Sequence, residues 1–479
     1  MMLLQPPPPL LLFFLLLHLR LHLLLLGPPP ISHLGGNTRT PELIKHSHVE
    51  HSYRILPRTV QSVQLLKICP HQHVSAVCLC SSSHQQDYLT IKQARKMLQK
   101  LVGAQKIWKP QQIEAAGQQQ MSLSQDDLPV RTMKDSYQEA VIPLGSNPDT
   151  REKYVNFYDG IRFGRILEDL DTFAVWISYT HTTHDDETSD HKSPIAIVTA
   201  LVDRIELEEH PIRADKDILM SGHVTWAGSS SLEVTMKLKQ EYEGSMRQLL
   251  EARFVMVSRN PVTKKSAPVN KLQPVGPEEE KLFQLGKSNK VKRQLEGERT
   301  LLKTAPSEEE RELIHNLFLQ TLDSSASSFR VRVKPDNSEW MEKTLLKNLT
   351  ICFPEQRNLY NKIFGGFLMR KAFELAWTNA AMYCKTRPYV KAVDDILFMK
   401  PVEVGSVLFL SSQVVYTSGS MLQMKVHAEV VNVVDCTRAT TNNFYFTFDT
   451  RQDQDVPAVL PRSYAESMLY LDGKRHFGS

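Results

Sequence analysis

An α+β fold is predicted, in which one unit, a long helix wrapped by an antiparallel sheet, occurs twice in tandem. Three observations predict it. Two long apolar, helix-like runs, each opened by Phe-Gly, lie in separate halves of the 479 residues. Strand-like segments follow each run in the same order. Each half also contains two alternating apolar and polar runs joined by a turn of small residues, the mark of a β-hairpin. The halves are offset by roughly 190–200 residues, and a repeat of that kind constrains the architecture before any single residue does.

The first helix opens at Phe163-Gly164-Arg165-Ile166-Leu167 and runs to Tyr179; the second opens at Phe364-Gly365-Gly366-Phe367-Leu368-Met369 and runs to Met382. A long apolar stretch without Pro or an internal Gly reads as a helix buried on most sides. The next strands are expected at 197–205 and 389–397. The hairpins are expected at 222–226 with 231–236 and at 408–416 with 421–426, with Trp226 and Tyr416 at equivalent places before their turns. Closing strands are expected at 252–257 and 443–448. A single such unit leaves a sheet edge exposed; two in tandem can pair edge to edge. The implied division is a helical lead-in at 87–135, a first domain at 136–260, a connector with a helix at 261–330, a second domain at 331–452 and a tail at 453–479.

Residues 1–86 stand apart. Residues 1–41 contain no Asp or Glu, and up to residue 86 only Glu42 and Glu50 oppose six Lys and Arg residues. An acid-poor basic leader is expected of an organelle transit peptide. The Leu/Phe run at 10–26 cuts across that reading, but it is short for a membrane span and carries Arg20 in its middle. The net charge of +4 gives no reason to expect a nucleic-acid partner. None of the six cysteines forms a Cys-x-x-Cys pair, so Cys69, Cys78, Cys80, Cys352, Cys384 and Cys436 read as thiols in a reducing compartment. His71 and His73 near Cys78 and Cys80, and the His/Asp-rich insert at 181–191, suggest metal at first sight, but neither has a second ligand pair or an evident scaffold. No Gly-x-Ser-x-Gly elbow and no phosphate-binding Gly-x-x-x-x-Gly-Lys-Ser/Thr loop occurs, against a serine hydrolase and a P-loop nucleotide enzyme.

Four strings carry a resemblance. They are Arg-Thr-Met-Lys-Asp-Ser-Tyr at 131–137, Arg-Phe-Gly-Arg-Ile-Leu-Glu-Asp-Leu-Asp at 162–171, Asn-Lys-Ile-Phe-Gly-Gly-Phe-Leu-Met-Arg-Lys-Ala at 361–372 and Glu-Ser-Met-Leu-Tyr-Leu-Asp-Gly at 466–473. Together they resemble the hotdog-fold acyl-coenzyme A thioesterases, and within them a mitochondrial type, from about residue 88 to residue 475. The resemblance implies two tandem hotdog domains forming an intramolecular double hotdog. It implies hydrolysis of acyl-CoA to free fatty acid and coenzyme A in the mitochondrial matrix. It also implies assembly of the double-hotdog chains into a homo-oligomer, with no cofactor, no metal and no stable membrane insertion of the mature protein. The alternative is a catalytically silent acyl-CoA-binding or scaffolding protein on the same fold. A hotdog dehydratase is disfavoured, since no His lies on either helix core.

In this family a helix carboxylate activates or orients the water, an Asn or Asp before the Gly-Gly faces it across the interface, and a helix-start N–H polarises the carbonyl. The carboxylate lies seven positions after the second Gly: Asp171 in the first half, but Phe373 in the second, with Glu374 adjacent as a reserve. The Asn or Asp position falls at Gly160 and at Lys362, one residue from Asn361. One composite site can therefore be assembled, from Asp171, Asn361 and the N–H of Gly366. Each residue also has a plainer reading. Asp171 could share an exposed stripe with Glu168 and Asp169, although a carboxylate among Leu167, Leu170, Phe173 and Ala174 is costly to bury without a partner. Asn361 could cap the second helix, and Glu374 could pair with Arg370 four residues earlier.

Overall fold

The computed structural model describes residues 88–477, apart from 103–123, 184–192 and the single positions 209, 262, 324, 326, 327 and 359. The acid-poor leader, with Cys69, Cys78, Cys80, His71 and His73, and most of the polar insert after His181 lie outside the described residues. The first half begins with helix α1 (Ile91–Val102), which buries Ile91, Ala94 and Leu98, an i, i+3, i+7 stripe. Strand β1 (Gln138–Ile142) and the short helix α2 (Pro148–Tyr154) follow; the Asn147 side chain caps α2 by accepting from the Thr150 N–H. The long helix α3 (Phe163–Thr182) comes next and is buried along almost its whole length; it includes His181, fully buried, which corrects the expectation that the polar insert begins there and that no His lies on the helix core. Strands β2 (Ala196–Val202), β3 (Ile205–Leu207), β4 (Ile218–Ala227), β5 (Ser231–Tyr242) and β6 (Ser245–Arg259) complete the half. The strand expected at 197–205 is interrupted at Asp203-Arg204, which separates β2 from β3.

The connector holds two helices where one is expected, α4 (Gly276–Arg299) and α5 (Glu308–Gln320). Ser307 and Glu310 form a capping box at the start of α5, which fixes its first turn. The second half then runs β7 (Ser338–Trp340), β8 (Leu346–Ile351), α6 (Gly365–Cys384), β9 (Tyr389–Phe398), β10 (Val407–Ser418), β11 (Met421–Val431) and β12 (Arg438–Asp449). The expected tail is not loose chain. Strand β13 (Ala458–Leu460) pairs parallel with β7, and helix α7 (Tyr464–Phe477) packs on β10, β11 and β12.

Among the described residues one sheet of eleven strands runs in the order β1-β4-β5-β6-β2-β9-β12-β11-β10-β8, with β3 pairing both β6 and β9. The order within the first half repeats in reverse within the second. The two sets meet through antiparallel β2 and β9, with Leu201 opposite Leu397 and Val202 opposite Ile396. Both hairpins lie where the small-residue turns predict them, and each carries one register shift, immediately before Trp226 and immediately before Tyr416. The core fills the space between helices and sheet with Phe173, Ile177, Phe254, Phe444, Phe446 and Phe448, all fully buried.

Helices α3 and α6 pack on each other reciprocally. A Cβ on Gly366 would lie 2.8 Å from the Glu168 Cα of α3, and a Cβ on Gly164 would lie 2.9 Å from the Arg370 Cγ of α6. Glu168 is four residues past Gly164, and Arg370 four past Gly366, so equivalent residues meet across the crossing. Only glycine permits this approach, which is what the repeated Phe-Gly signal encodes.

Candidate active site

The crossing brings the side chain of Asp171, on α3, to the N-terminus of α6. Its Oδ2 accepts the Gly366 N–H at 2.7 Å, and its Oδ1 accepts the Thr199 hydroxyl from β2. Asp171 is only 1% exposed. The first-turn amides of a helix have no intrahelical acceptor, and that end carries partial positive charge, so a carboxylate finds both donors and a favourable field there. Burial pushes Asp171 up to about 6; the bonds from Thr199 and Gly366 and the nearby Arg95 charge pull the other way, and Glu168 adds to the rise. A carboxylate poised there is mostly ionised at neutral pH yet basic enough to take a proton from water.

The neighbouring acids are also buried, so the expectation of an exposed acidic stripe does not hold: Glu168 and Asp169 are 8% and 6% exposed. Each has a partner. Asp169 accepts from the Tyr154 hydroxyl at 2.5 Å, and its own burial pushes it up to about 6. Glu168 pairs with Arg165 at 2.7 Å and with Arg370 of α6 at 3.2 Å. Paired in this way, they can be packed into the crossing without leaving unsatisfied charge.

Residues 360–436 match the family model described as the thioesterase superfamily. Over 400 residues the chain is 48% identical to acyl-coenzyme A thioesterase 9, mitochondrial, of Homo sapiens, covering 82% of this chain and 90% of that protein. This chain belongs to the acyl-coenzyme A thioesterase family. It is 33% identical over 353 residues to acyl-coenzyme A thioesterase 4, mitochondrial, of Humulus lupulus, covering 71% of this chain and 65% of that protein. Among solved structures, an acyl-CoA hydrolase from Staphylococcus aureus in complex with butyryl coenzyme A, coenzyme A and coenzyme A disulfide aligns with a TM-score of 0.28 at 23% identity, over 29% of this chain and 88% of that one. The fold of this thioesterase chain is the hotdog thioesterase fold.

Within this thioesterase the equivalent place on the other side of the crossing is apolar. Phe373 stands where Asp171 has its carboxylate, and its ring packs on Phe163, Phe446 and Phe448 at centroid distances of 5.3, 5.5 and 5.8 Å. Phe163 occupies the position of Gly365. The partner of Thr199 is replaced as well. Thr199 precedes the register shift of β2, and Val390 holds the matching position at the shift of β9. Glu374, the residue after Phe373, is the reserve carboxylate on this side. It pairs with Arg162 at 3.1 Å and Lys371 at 3.7 Å on the surface, not with Arg370 as expected.

Asn361 is not brought to Asp171 by any bond, nor does it cap α6, whose N-cap is Phe364 without a side-chain bond. It is exposed in the left-handed region at φ 59°, in a turn held by Asn358, whose Oδ1 accepts the N–H groups of Tyr360 and Lys362 at 2.8 and 3.1 Å. The same turn precedes α3, where the Asn156 Oδ1 accepts from Tyr158 and Gly160. Asn and Asp tolerate φ > 0, and Asp159 at φ 55° is the counterpart of Asn361. A sequence reading could have found the Asn156/Asn358 pair, since both stand at the same distance before their Gly. It had no signal for Thr199 or Arg95, which reach the site from β2 and α1.

One grouping among the described residues has metal-ligand chemistry: Asp394, Asp395 and His476. Asp394 is engaged there by His476 Nδ1 at 2.8 Å and by the Arg204 guanidinium at 3.8 Å. These contacts form an ion-pair network that docks α7 on the sheet. Among the described residues no helix is long and apolar enough to cross a membrane.

Proposed function

We propose that this protein hydrolyses acyl-CoA thioesters to free fatty acid and coenzyme A, at one site per chain, in the mitochondrial matrix. The observation that carries the reading is the buried Asp171 carboxylate, held at the start of α6 by Gly366 and Thr199, in a chain 48% identical to a mitochondrial acyl-coenzyme A thioesterase over most of its length. Asp171 is the general base: it takes a proton from water, and the oxygen so activated attacks the thioester carbonyl. The positive end of α6 favours the negative charge that develops on that carbonyl, whereas the Gly366 N–H, expected to polarise the carbonyl itself, is taken up by Asp171. The products are carboxylic acid and thiol, and the proton returns to the departing sulfur.

The two halves, 136–260 and 331–452, are read as two hotdog domains forming one intramolecular double hotdog, with 87–135 as lead-in, 261–330 as connector and 453–479 as a docked C-terminal segment. The mirrored strand order and the β2–β9 pairing support this reading. Asn361 belongs to it as part of the turn that sets the entry to α6, and a homo-oligomer of such chains follows from the family. The apolar replacements Phe373, Val390 and Phe163 favour one working site, and the surface ion pairs of Glu374 remove the reserve base.

The test is thiol release from acyl-CoA by purified protein. Wild type should turn over, and Asp171→Asn should lose about 10²- to 10⁴-fold in kcat with its fold intact. Acyl-CoA binding without turnover by the wild type would instead establish a silent scaffold.

A further inference from the structure

Helix α1 precedes the first helix-and-sheet unit, yet it reaches the catalytic crossing. Its start is fixed locally: the Thr90 N–H donates to the Gln93 side chain at 2.7 Å, and the Gln93 N–H donates back to the Thr90 hydroxyl at 3.3 Å. Both ends are tied to the body. The Val141 N–H of β1 donates to the Leu89 carbonyl at 2.8 Å, and the Ser193 N–H to the Leu101 carbonyl at 3.3 Å. The buried stripe Ile91, Ala94 and Leu98 fixes the rotation of the helix, and that rotation directs Arg95 toward α3. Its Nη2 donates to the hydroxyl of Thr172, the residue after Asp171, at 3.0 Å. The same guanidinium lies 5.7 Å from the ring centre of Phe364, the N-cap of α6, whose ring packs against Gly366. Arg95 thus bridges the residues that flank both ends of the Asp171–Gly366 bond.

We infer that the lead-in helix is part of the active site and that Arg95 is a positioning residue, which acts on Asp171 through its bond to Thr172 and its place beside the start of α6. This rests on the reading of Asp171 as the base. The charges around Asp171 support it. On α3, Glu168 is a like charge, and Asp169 is another buried acid paired with Tyr154 of α2. The cations Arg165 of α3 and Arg370 of α6 are both engaged by Glu168. From β2 comes only the neutral Thr199 hydroxyl. Arg95 lowers the proton affinity of Asp171 and of Asp169 alike. A guanidinium cannot lose its charge near neutral pH, so it suits this task better than a histidine would. Water screens a cation at the rim, so its influence is moderate and depends on salt.

The experiment is the pH–rate profile of thioester hydrolysis for the full chain and for Arg95→Gln, Arg95→Lys and Asp171→Asn, at low and high salt. Arg95→Gln should move the acidic limb upward by about half a pH unit or more, with kcat at alkaline pH nearly restored. Arg95→Lys should keep most of the wild-type limb, and high salt should move the wild-type limb toward that of Arg95→Gln. A uniform loss of kcat with an unmoved limb, or a rise in KM alone, would overturn the inference while leaving the site reading in place. Full activity in Asp171→Asn would overturn the site reading itself, whatever Arg95 does.

Discussion

At the residue scale the site is a carboxylate balanced between opposing influences. Burial raises Asp171, and Thr199, Gly366 and Arg95 hold the rise to about 6. On the proposed reading of Asp171 as the base, which works ionised, activity should fall as pH drops through that value. Removing the Thr199 hydroxyl takes away one stabiliser of the charged form. Thr199→Val should therefore shift the acidic limb upward, with a larger loss at pH 6 than at pH 8, readable in a pH–rate profile. Glu374→Gln should change turnover little, because its pairs with Arg162 and Lys371 are about one-third solvent-exposed and such pairs contribute about 0–1 kcal/mol to stability. The Asp171 position was legible in the sequence because the family resemblance places a carboxylate seven residues after Gly164, and one amid Leu167, Leu170 and Phe173 needs a reason. Thr199 was not, because a Thr in an alternating strand looks the same whether it faces a catalytic acid or a neighbouring strand.

At the element scale the crossing of α3 and α6 and the docking of α7 matter most. Glu168 and Arg370 occupy equivalent positions on the two helices yet bear opposite charge, and they pair at 3.2 Å with little exposure. Breaking a buried pair by reversing one partner is strongly destabilising. Glu168→Arg and Arg370→Glu should each lower the melting temperature, and the double exchange should recover part of the loss, as a double-mutant cycle would measure. Helix α7 is held by His476. Burial opposes its protonation, but the bond and charge of Asp394, with Asp472 and Asp395, outweigh that, so its folded pKa is raised above 6.5. A raised folded pKa means the contribution is complete below about 6.5 and is lost as pH rises through the folded value. Asp395, raised by burial, titrates with the same sign. Wild type should therefore lose stability from pH 6 to pH 8 in thermal melts, and His476→Gln should flatten that slope. The network escaped the sequence reading because Asp394 and His476 are 82 residues apart.

For the whole molecule, the site belongs to neither half. The proposed base, Asp171, is on α3, the amide that holds it is on α6, and β2 lies against β9 where the two halves meet. Expressed separately, residues 88–260 and 331–479 should each lack thioesterase activity and expose the apolar faces that α3 and α6 bury against each other. Co-expression should restore activity if the halves find one another. Separate halves that are soluble, monomeric and active would refute the fused reading.

The sequence by itself determined the tandem of helix and sheet, the positions of both hairpins and the residue most exposed to chemical suspicion, Asp171. The first two are written in local periodicity and turn chemistry, which act over a few residues; Asp171 was picked out mainly by the family resemblance, seven positions after Gly164, with the cost of a charge among apolar neighbours in support. The tertiary structure alone decided what Asp171 touches. It showed that Asn361 lies in an exposed left-handed turn, that Glu374 is a surface ion pair, that Thr199 and Arg95 converge on the site, and that residues past 452 form a docked strand and helix. Those outcomes depend on which chain segments meet after folding. One helix crossing, set by the absence of a side chain at Gly164 and Gly366, brings α3 and α6 close enough for Asp171 to take the Gly366 amide.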